Sequence, residues 1–294
     1  NGAERVIVSQ IIRSPGMYFE KRTDKLALPI CGTTIIPYRG AWLEYETDTS
    51  GIFNVRIDKN RKLPVTWLLK SMGTEYEDKP WSWLTIARSA GGASTNEQLS
   101  EIFGSDERIT ATLEKDACKS REDALLEIYR RLRPGDPPTL DSAETLLNNL
   151  FFDPRRYDLS NVGRYKFNKK LALPRRIQER VLIYPVADPM TGEIIAEAGT
   201  RLTRELSEEL ERRGVNEMTV ASDDGKPVKV FGNGMVPLKG FVDFDPEELG
   251  IKVSVRFIIL KKLLEEYTGD ELKDAIMDNI DDLIPKHIIP DDIF

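Results

Sequence analysis

Two kinds of side chain in this sequence have types and spacing that fit one chemistry, the holding of a polyanion. Residues 128–180 contain 12 basic and 6 acidic side chains, a local net charge of +6. The cations are clustered: Arg130, Arg131 and Arg133; Arg155 and Arg156; Arg164, Lys166, Lys169 and Lys170. Such grouping concentrates positive potential where phosphates can be met. Upstream, Trp42 falls on the polar face of a strand-like run. Cations lining a groove beside a stacking ring are how proteins hold unpaired nucleic-acid strands. Plainer readings stand beside this one: arginines in the last turn of a helix complement its dipole, and a Lys-Lys pair is ordinary solvated surface.

Other chemistries have less behind them. Asp243 and Asp245 share a face if their stretch is a strand, and could hold a divalent ion or do acid/base work, but the sequence places no third ligand. Gly232 and Gly234 form a lone GxG, without the third glycine or the following helix that phosphate cradling needs, so they mark a turn. Cys31 and Cys118 lie 87 positions apart with no nearby histidine. That spacing fits neither a zinc site nor a redox pair, and both thiols are expected to be buried. His287 is the single histidine, so any Ser/His/Asp or Cys/His site would have to be built around it alone; a structural role is the simpler reading. No constellation supports an independent enzyme.

The elements that must position these residues follow from composition and periodicity. At 294 residues, with 40% hydrophobic and 31% charged side chains, the chain is an ordinary globular sequence long enough for two domains. Its 42 Lys and Arg against 49 Asp and Glu give a net charge of −7, unevenly divided: residues 201–294 hold 13 basic and 21 acidic side chains, net −8. No apolar run approaches the roughly 20 residues of a membrane span and no secretory signal opens the chain, so a cytoplasmic location is expected. A strand-like run at 5–12 comes first. Alternation then places Leu43, Tyr45 and Thr47 inward with Trp42 outward, and likewise Phe53, Val55 and Ile57 inward. Helices are expected from Pro64 to Gly73, after a Ser94/Glu97 capping box, after Ser105, after Ser120 with Asp123, and after Asp141 with Glu144. Residues 73–93 read as a short amphipathic helix. From about residue 175, strands at 181–186, 194–198 and 217–220 and a helix at 203–213 ended by Gly214 describe a compact β-rich module, with a further helix between 254 and 267. The opening at Asn1 and the helix-like turn at 290–294 suggest a segment of a longer polypeptide.

Five runs, in this order, closely resemble the bacterial RNA polymerase β subunit: NGAERVIVSQIIRSPG at 1–16, IIPYRGAWL at 35–43, VRIDKNRKLP at 55–64, ALLEIYRRLRPGDPP at 124–138 and FFDPRRYDLSNVGRYKFNKKL at 151–171. The resemblance implies the lobe of that subunit, which lines one wall of the main DNA channel. It implies an α+β fold: a mixed strand/helix lobe over 1–174 whose start joins the subunit core, a lineage-specific inserted β-rich acidic module over 175–287, and a return to the lobe at 288–294. TGEIIAEAGTRLTREL at 191–206 is similar to the barrel-sandwich hybrid modules inserted in polymerase large subunits. The parent complex is a nucleotidyltransferase whose catalytic magnesium is held by the β′ subunit, so this segment is expected to carry no cofactor and no catalytic residue.

By the same resemblance, Arg13 and Arg133 help form a pocket for a non-template guanine, and Trp42 stacks on a neighbouring non-template base. Arg156 lies near the non-template strand and sigma factor, and Arg5, Val8 and Gln10 border the rifamycin pocket. The remaining guanine-pocket residues follow the last residue of this chain in the family, and the docking segment for the transcription-repair coupling factor precedes Asn1. The expected DNA-binding set is therefore Arg13, Trp42, Arg133, Arg156, Arg164, Lys166 and Lys169. The expected partners are DNA, the β′, α and sigma subunits and transcription factors that dock on the lobe, with no membrane, in the bacterial nucleoid. The alternative is a protein-docking platform in which the acidic 201–294 portion receives a basic regulatory factor.

Overall fold

Alternating apolar residues build the first part of the fold, an antiparallel meander of β1 (Gly16–Thr23), β2 (Pro29–Ile36), β3 (Leu43–Thr47), β4 (Phe53–Ile57) and β5 (Leu63–Pro64) in that spatial order. The computed structural model describes residues 2–23, 27, 29–72, 95–104 and 106–294. Register pairs Met17 with Ile35, Ile35 with Leu43, and Leu43 with Ile57. A buried row thus crosses four strands on one face, as a period of two requires. Leu43, Tyr45 and Thr47 point inward as expected.

The strand expected at 5–12 does not form. Residues 2–14 have no regular structure, and Val6, Ile7, Val8, Ile11 and Ile12 are exposed. Alternation specifies a face, but a strand also needs a neighbour for its backbone donors and acceptors, and among the described residues this run has none. Cys31 is likewise exposed, whereas Cys118 is buried. The far ends of β1 and β2 project beyond the core, and Cys31 sits there opposite Lys21.

Helices cover the inner face of the sheet: α1 (Val65–Ser71), α2 (Asn96–Phe103), α3 (Glu107–Glu114), α4 (Arg121–Leu132) and α5 (Leu140–Leu147), the last continued by a π-helical turn at Asn148–Phe152. Ser120 caps α4 as anticipated, its hydroxyl accepting from the Asp123 N–H at 3.2 Å. The other caps sit close to the expected positions: Thr95 with Gln98 forms the box before α2, and Asp106 and Thr139 cap α3 and α5. Ser94, Ser105 and the helix expected at 73–93 lie outside the described residues. A fully buried Lys70–Asp116 pair at 2.6 Å locks α1 to the α3–α4 connection, with Trp67 Nε1 donating to the same carboxylate at 2.7 Å.

Beyond α6 (Ser160–Leu171) and α7 (Pro174–Ile177), the chain packs around two further cores. One spans Leu173 to Val230 and holds two hairpins, β6 (Val186–Ala187) with β7 (Ile194–Ala196) and β8 (Glu217–Ala221) with β9 (Pro227–Phe231), around α8 (Arg204–Arg212). The other spans Val236 to Leu283. It is mainly helical, with β10 (Met235–Val236) and β11 (Val255–Arg256) pairing beside α9 (Phe257–Glu266), α10 (Gly269–Asp278) and α11 (Ile280–Leu283). The chain then returns to the first core through Ile288 and through Ile293 of α12 (Pro290–Ile293).

That return is fastened by charge. Arg164 on α6 is 2% exposed. Its Nε donates to the Pro285 carbonyl at 2.9 Å, Nη1 to both Asp292 carboxylate oxygens at 2.9 and 2.8 Å, and Nη2 to the His287 carbonyl. Asp292 also accepts from Asn233 Nδ2 at 3.1 Å and from the Ile289 N–H at 3.0 Å. His287, partly buried beside Arg164 and Arg256, has its imidazole pushed down to about 4 by desolvation and by those two cations. Burial pushes the neighbouring Asp291 carboxyl up to about 7.

Removing one partner of a buried ion pair leaves an uncompensated charge, so Asp292→Ala is expected to lower stability by about 3–5 kcal/mol in urea unfolding; a loss below about 1 kcal/mol would show that the clamp is not structural. The titrations predict opposing slopes. His287 has a folded value below its unfolded one, so its contribution is complete above about pH 6.5 and is lost as pH falls toward about 4. Asp291 has a raised folded value, so its contribution is complete below about pH 3.8 and is lost as pH rises through about 7. Relative to the wild-type chain, Asp291→Asn should therefore gain stability with rising pH between pH 4.5 and 6.5, by up to about 1.4 kcal/mol per pH unit, and His287→Gln should show the opposite trend. Urea midpoints at three pH values across that window check both signs.

Candidate nucleic-acid interface

Trp42 is held out by a loop whose backbone is fixed on two sides. The Tyr38 and Arg39 N–H groups donate to the Asp158 carbonyl at 2.8 and 3.1 Å, and the Asp158 N–H donates to the Arg39 carbonyl at 2.8 Å. Next comes Gly40 with φ +126°, where an added Cβ would lie 2.6 Å from the Tyr157 ring. Only glycine both adopts that φ and clears the ring. On the other side, the Asp58 N–H donates to the Trp42 carbonyl at 2.8 Å and the Trp42 N–H to Asp58 Oδ1 at 2.7 Å. The indole, one residue before β3, is 43% exposed, and Tyr38 is exposed on the same loop.

A cleft of about 580 Å³ adjoins this loop, lined by Gly40 and Ala41 and by two arginines, Arg133 and Arg156, with Asp136 and Asp141 also in its wall. Arg133 is placed by the end of α4, where its N–H closes the last turn on the Tyr129 carbonyl at 2.8 Å. Arg156 is placed by a turn in which its N–H donates to the Asp153 carbonyl at 2.9 Å and its guanidinium lies 3.4 Å from the Asp153 carboxylate. Two of the expected arginines thus meet beside the loop that carries Trp42.

Arg13 belongs to a second cluster further along α6. Pro15 packs against Gly163, where a Cβ would approach its ring at 3.1 Å, and Lys166 Nζ donates to Ser14 Oγ. Arg13 and Lys166 both lie over the Tyr18 ring, at 5.0 and 5.8 Å from its centroid. Lys169 lies 5.9 Å from the Tyr165 ring and Lys170 5.7 Å from Phe19, both rings being exposed. These distances are those of cation–π contact. The rings of Tyr18, Phe19 and Tyr165 are absent from the expected set, although helical phase could have found Tyr165 on the same outward side as Lys169. The two clusters are linked by α6, which begins just after the Asp158–Arg39 bridge.

Arg164 is a correction to the expected set. It lies on the inward face of α6 with Gly163 and Phe167, bonded to Asp292 and two carbonyls, and is not presented to solvent. Arg5, Val8 and Gln10 lie in the exposed irregular run at 2–14. Asp243 and Asp245 are exposed and not on a strand; Asp245 Oδ1 accepts from the Glu247 N–H to cap a short 3-10 turn. Gly232 and Gly234 form a turn held by Asn216, with the Gly234 N–H donating to Asn216 Oδ1 at 2.7 Å. Among the described residues no three His, Cys, Asp or Glu side chains are grouped to hold a metal ion, and no helix is long and apolar enough to cross a membrane.

A family model described as RNA polymerase Rpb2, domain 2, matches residues 13–80 and 84–185, more than half of the chain. The chain belongs to the RNA polymerase β-subunit family. The DNA-directed RNA polymerase subunit beta of Acetivibrio thermocellus is 49% identical over 296 residues, and those of Clostridium acetobutylicum and Clostridioides difficile are 48% and 46% identical over 295 and 294 residues. Each match covers 100% of this chain and 22% of the relative. The chain thus spans about a fifth of the length of the curated β subunits it matches, and residues 175–287 have counterparts in all three. The β-subunit family model covers both cation clusters and the loop of Trp42.

The geometry of that loop predicts a cost for filling it. Gly40→Ala places a methyl group against the Tyr157 ring at an unfavourable φ and should lower stability by about 1–3 kcal/mol. An unchanged urea midpoint would show that the loop is not forced by this approach.

Proposed function

We propose that this part of the polymerase β subunit is a non-catalytic wall of the DNA channel that holds a displaced single strand, the non-template strand of the transcription bubble. The observation that carries this reading is the row of rings and cations along β1 and α6, Tyr18 with Arg13 and Lys166, Phe19 with Lys170, and Tyr165 with Lys169, continued by the arginine cleft beside Trp42. Rings stack on unpaired bases without regard to sequence, at about 1–3 kcal/mol per base, while the cations follow the phosphates. In this arrangement Trp42 stacks a base, Arg133 and Arg156 receive the adjoining strand, and Arg13, Lys166 and Lys169 hold phosphates. Arg5, Val8 and Gln10 border an inhibitor pocket completed elsewhere in the subunit. The magnesium chemistry belongs to the β′ partner, and the α and sigma subunits complete the assembly.

A second reading rests on the acidic helices. Glu265 and Glu266 on α9 and Asp270, Glu271, Asp274 and Asp278 on α10 are all exposed. Such a face suits a basic protein segment, and both roles are compatible in one subunit.

Anisotropy of a labelled single-stranded oligonucleotide, titrated with the chain at several salt concentrations, separates the proposed roles. Replacing Lys166 and Lys169 by Ala should reduce the salt slope by about 1.4, the value for two lost phosphate contacts on a single strand. Trp42→Ala should weaken binding about tenfold and keep the slope. Identical slopes for all variants would remove the assignment of roles, and an affinity unaffected by any of them would overturn the reading.

A further inference from the structure

A cavity of about 860 Å³ opens where the three cores adjoin, within the size range of pockets that take small organic molecules. Its apolar wall is formed by Phe103 at the end of α2, Val186 and Pro227 from the two hairpins, and Phe257 and Ile258 at the start of α9. Two side chains of opposite charge also line it, Arg256 and Asp291, each only 7% exposed. No hydrogen bond or ion pair joins them, and among the described residues Arg256 Nε has no partner at all. A buried guanidinium with an idle donor is rare, because its planar fork of five N–H groups normally finds acceptors.

The remaining charges of the wall balance. Lys229 lies 3.3 Å from Glu217, and Lys261 Nζ donates to the Pro189 carbonyl at 3.0 Å, with Glu101 at the rim. Three cationic and three anionic side chains therefore line the space, which favours neither an anion nor a cation. An arginine and an aspartate that face one cavity without touching are complementary to a group that accepts from the first and donates to the second.

We propose that this cavity binds a neutral, flat organic molecule presenting an acceptor and a donor side by side, the edge of an amide or of a nucleobase-like heterocycle. Arg256 donates to its acceptor, Asp291 accepts from its N–H, and its ring lies against Phe103 and Phe257. This site is separate from the strand-holding surface, since none of the residues in the two cation clusters lines it.

Benzamide is the probe, with benzoate and benzamidine as controls that keep the ring but offer only acceptors or only donors. Titrated into the methyl-labelled 294-residue chain and followed by NMR, benzamide should produce saturable shifts at the Ala187 and Ile258 methyls. Benzoate and benzamidine should bind about tenfold more weakly, the cost of one charged hydrogen bond lost in a buried site. Arg256→Gln should weaken benzamide by a similar factor. Should that variant fail to fold, Thr219→Trp, which fills the cavity from β8 and leaves Arg256 and Asp291 unaltered, should abolish the saturable shifts while the other methyl resonances stay in place. Shifts confined to other methyls, no saturation at the solubility limit, benzoate binding as tightly as benzamide, or unchanged affinity in Thr219→Trp would each overturn the proposal.

Discussion

The arrangement of this molecule depends on one buried contact, the fork of Arg164 closing on Asp292 and on the carbonyls of Pro285 and His287. A charge taken out of water is tolerable only if its partner and its hydrogen bonds are all supplied, and here they are. Asp292 is satisfied in turn by Asn233 and the Ile289 N–H, so the network draws together α6, the turn after β9 and the returning chain. Hydrophobic burial is non-directional and would allow these pieces to slide. A guanidinium fork fixes distance and angle together. The three cores therefore meet in a defined relation because a polar contact at their junction admits only one.

The same device recurs within the first core, where Lys70, Asp116 and Trp67 tie α1 to the α3–α4 connection with no exposed charge. The exposed cations behave differently. Lys166, Lys169, Lys170 and Arg13 lie over aromatic faces, contacts that orient the charge while leaving it able to meet a phosphate. Burial thus separates two classes of cation in one short stretch of sequence: those that hold the protein together and those free to hold something else.

How much of this was legible beforehand depended on whether a feature was local. The period of two at 43–47 and 53–57 and the Ser120 cap were readable because each is determined within a few residues. The capping residue before α2 is Thr95 rather than Ser94, an ordinary slip where two hydroxyl residues adjoin. The run at 5–12 has a strand pattern but lacks a described neighbour, and pairing is a non-local fact. Counting charge without phase groups Arg164 with the exposed cations, but Gly163, Arg164 and Phe167 follow the 3.6-residue period of α6 inward, whereas Tyr165 and Lys169 face out. Read with that phase, the sequence separates the clamp from the exposed cations. The partition of residues 173–283 into two cores was not readable, because α9 and α10 bury their apolar stripes against each other and not against the hairpins. Nor was the pairing of Tyr18 with Lys166, which needs two segments some 150 positions apart.

Both Ser14 and Pro15 on one side, and Pro285 to Asp292 on the other, are gripped by neighbouring turns of α6. Residues 172–284 depart from this helix and come home to it, touching the first core on the way where Phe231 meets Phe103 and Lys226 meets Glu107. Tension between the two gripped segments runs across a single helix, in shear through a handful of side chains, and the excursion shares it through Asn233, which donates to both Asn168 and Asp292.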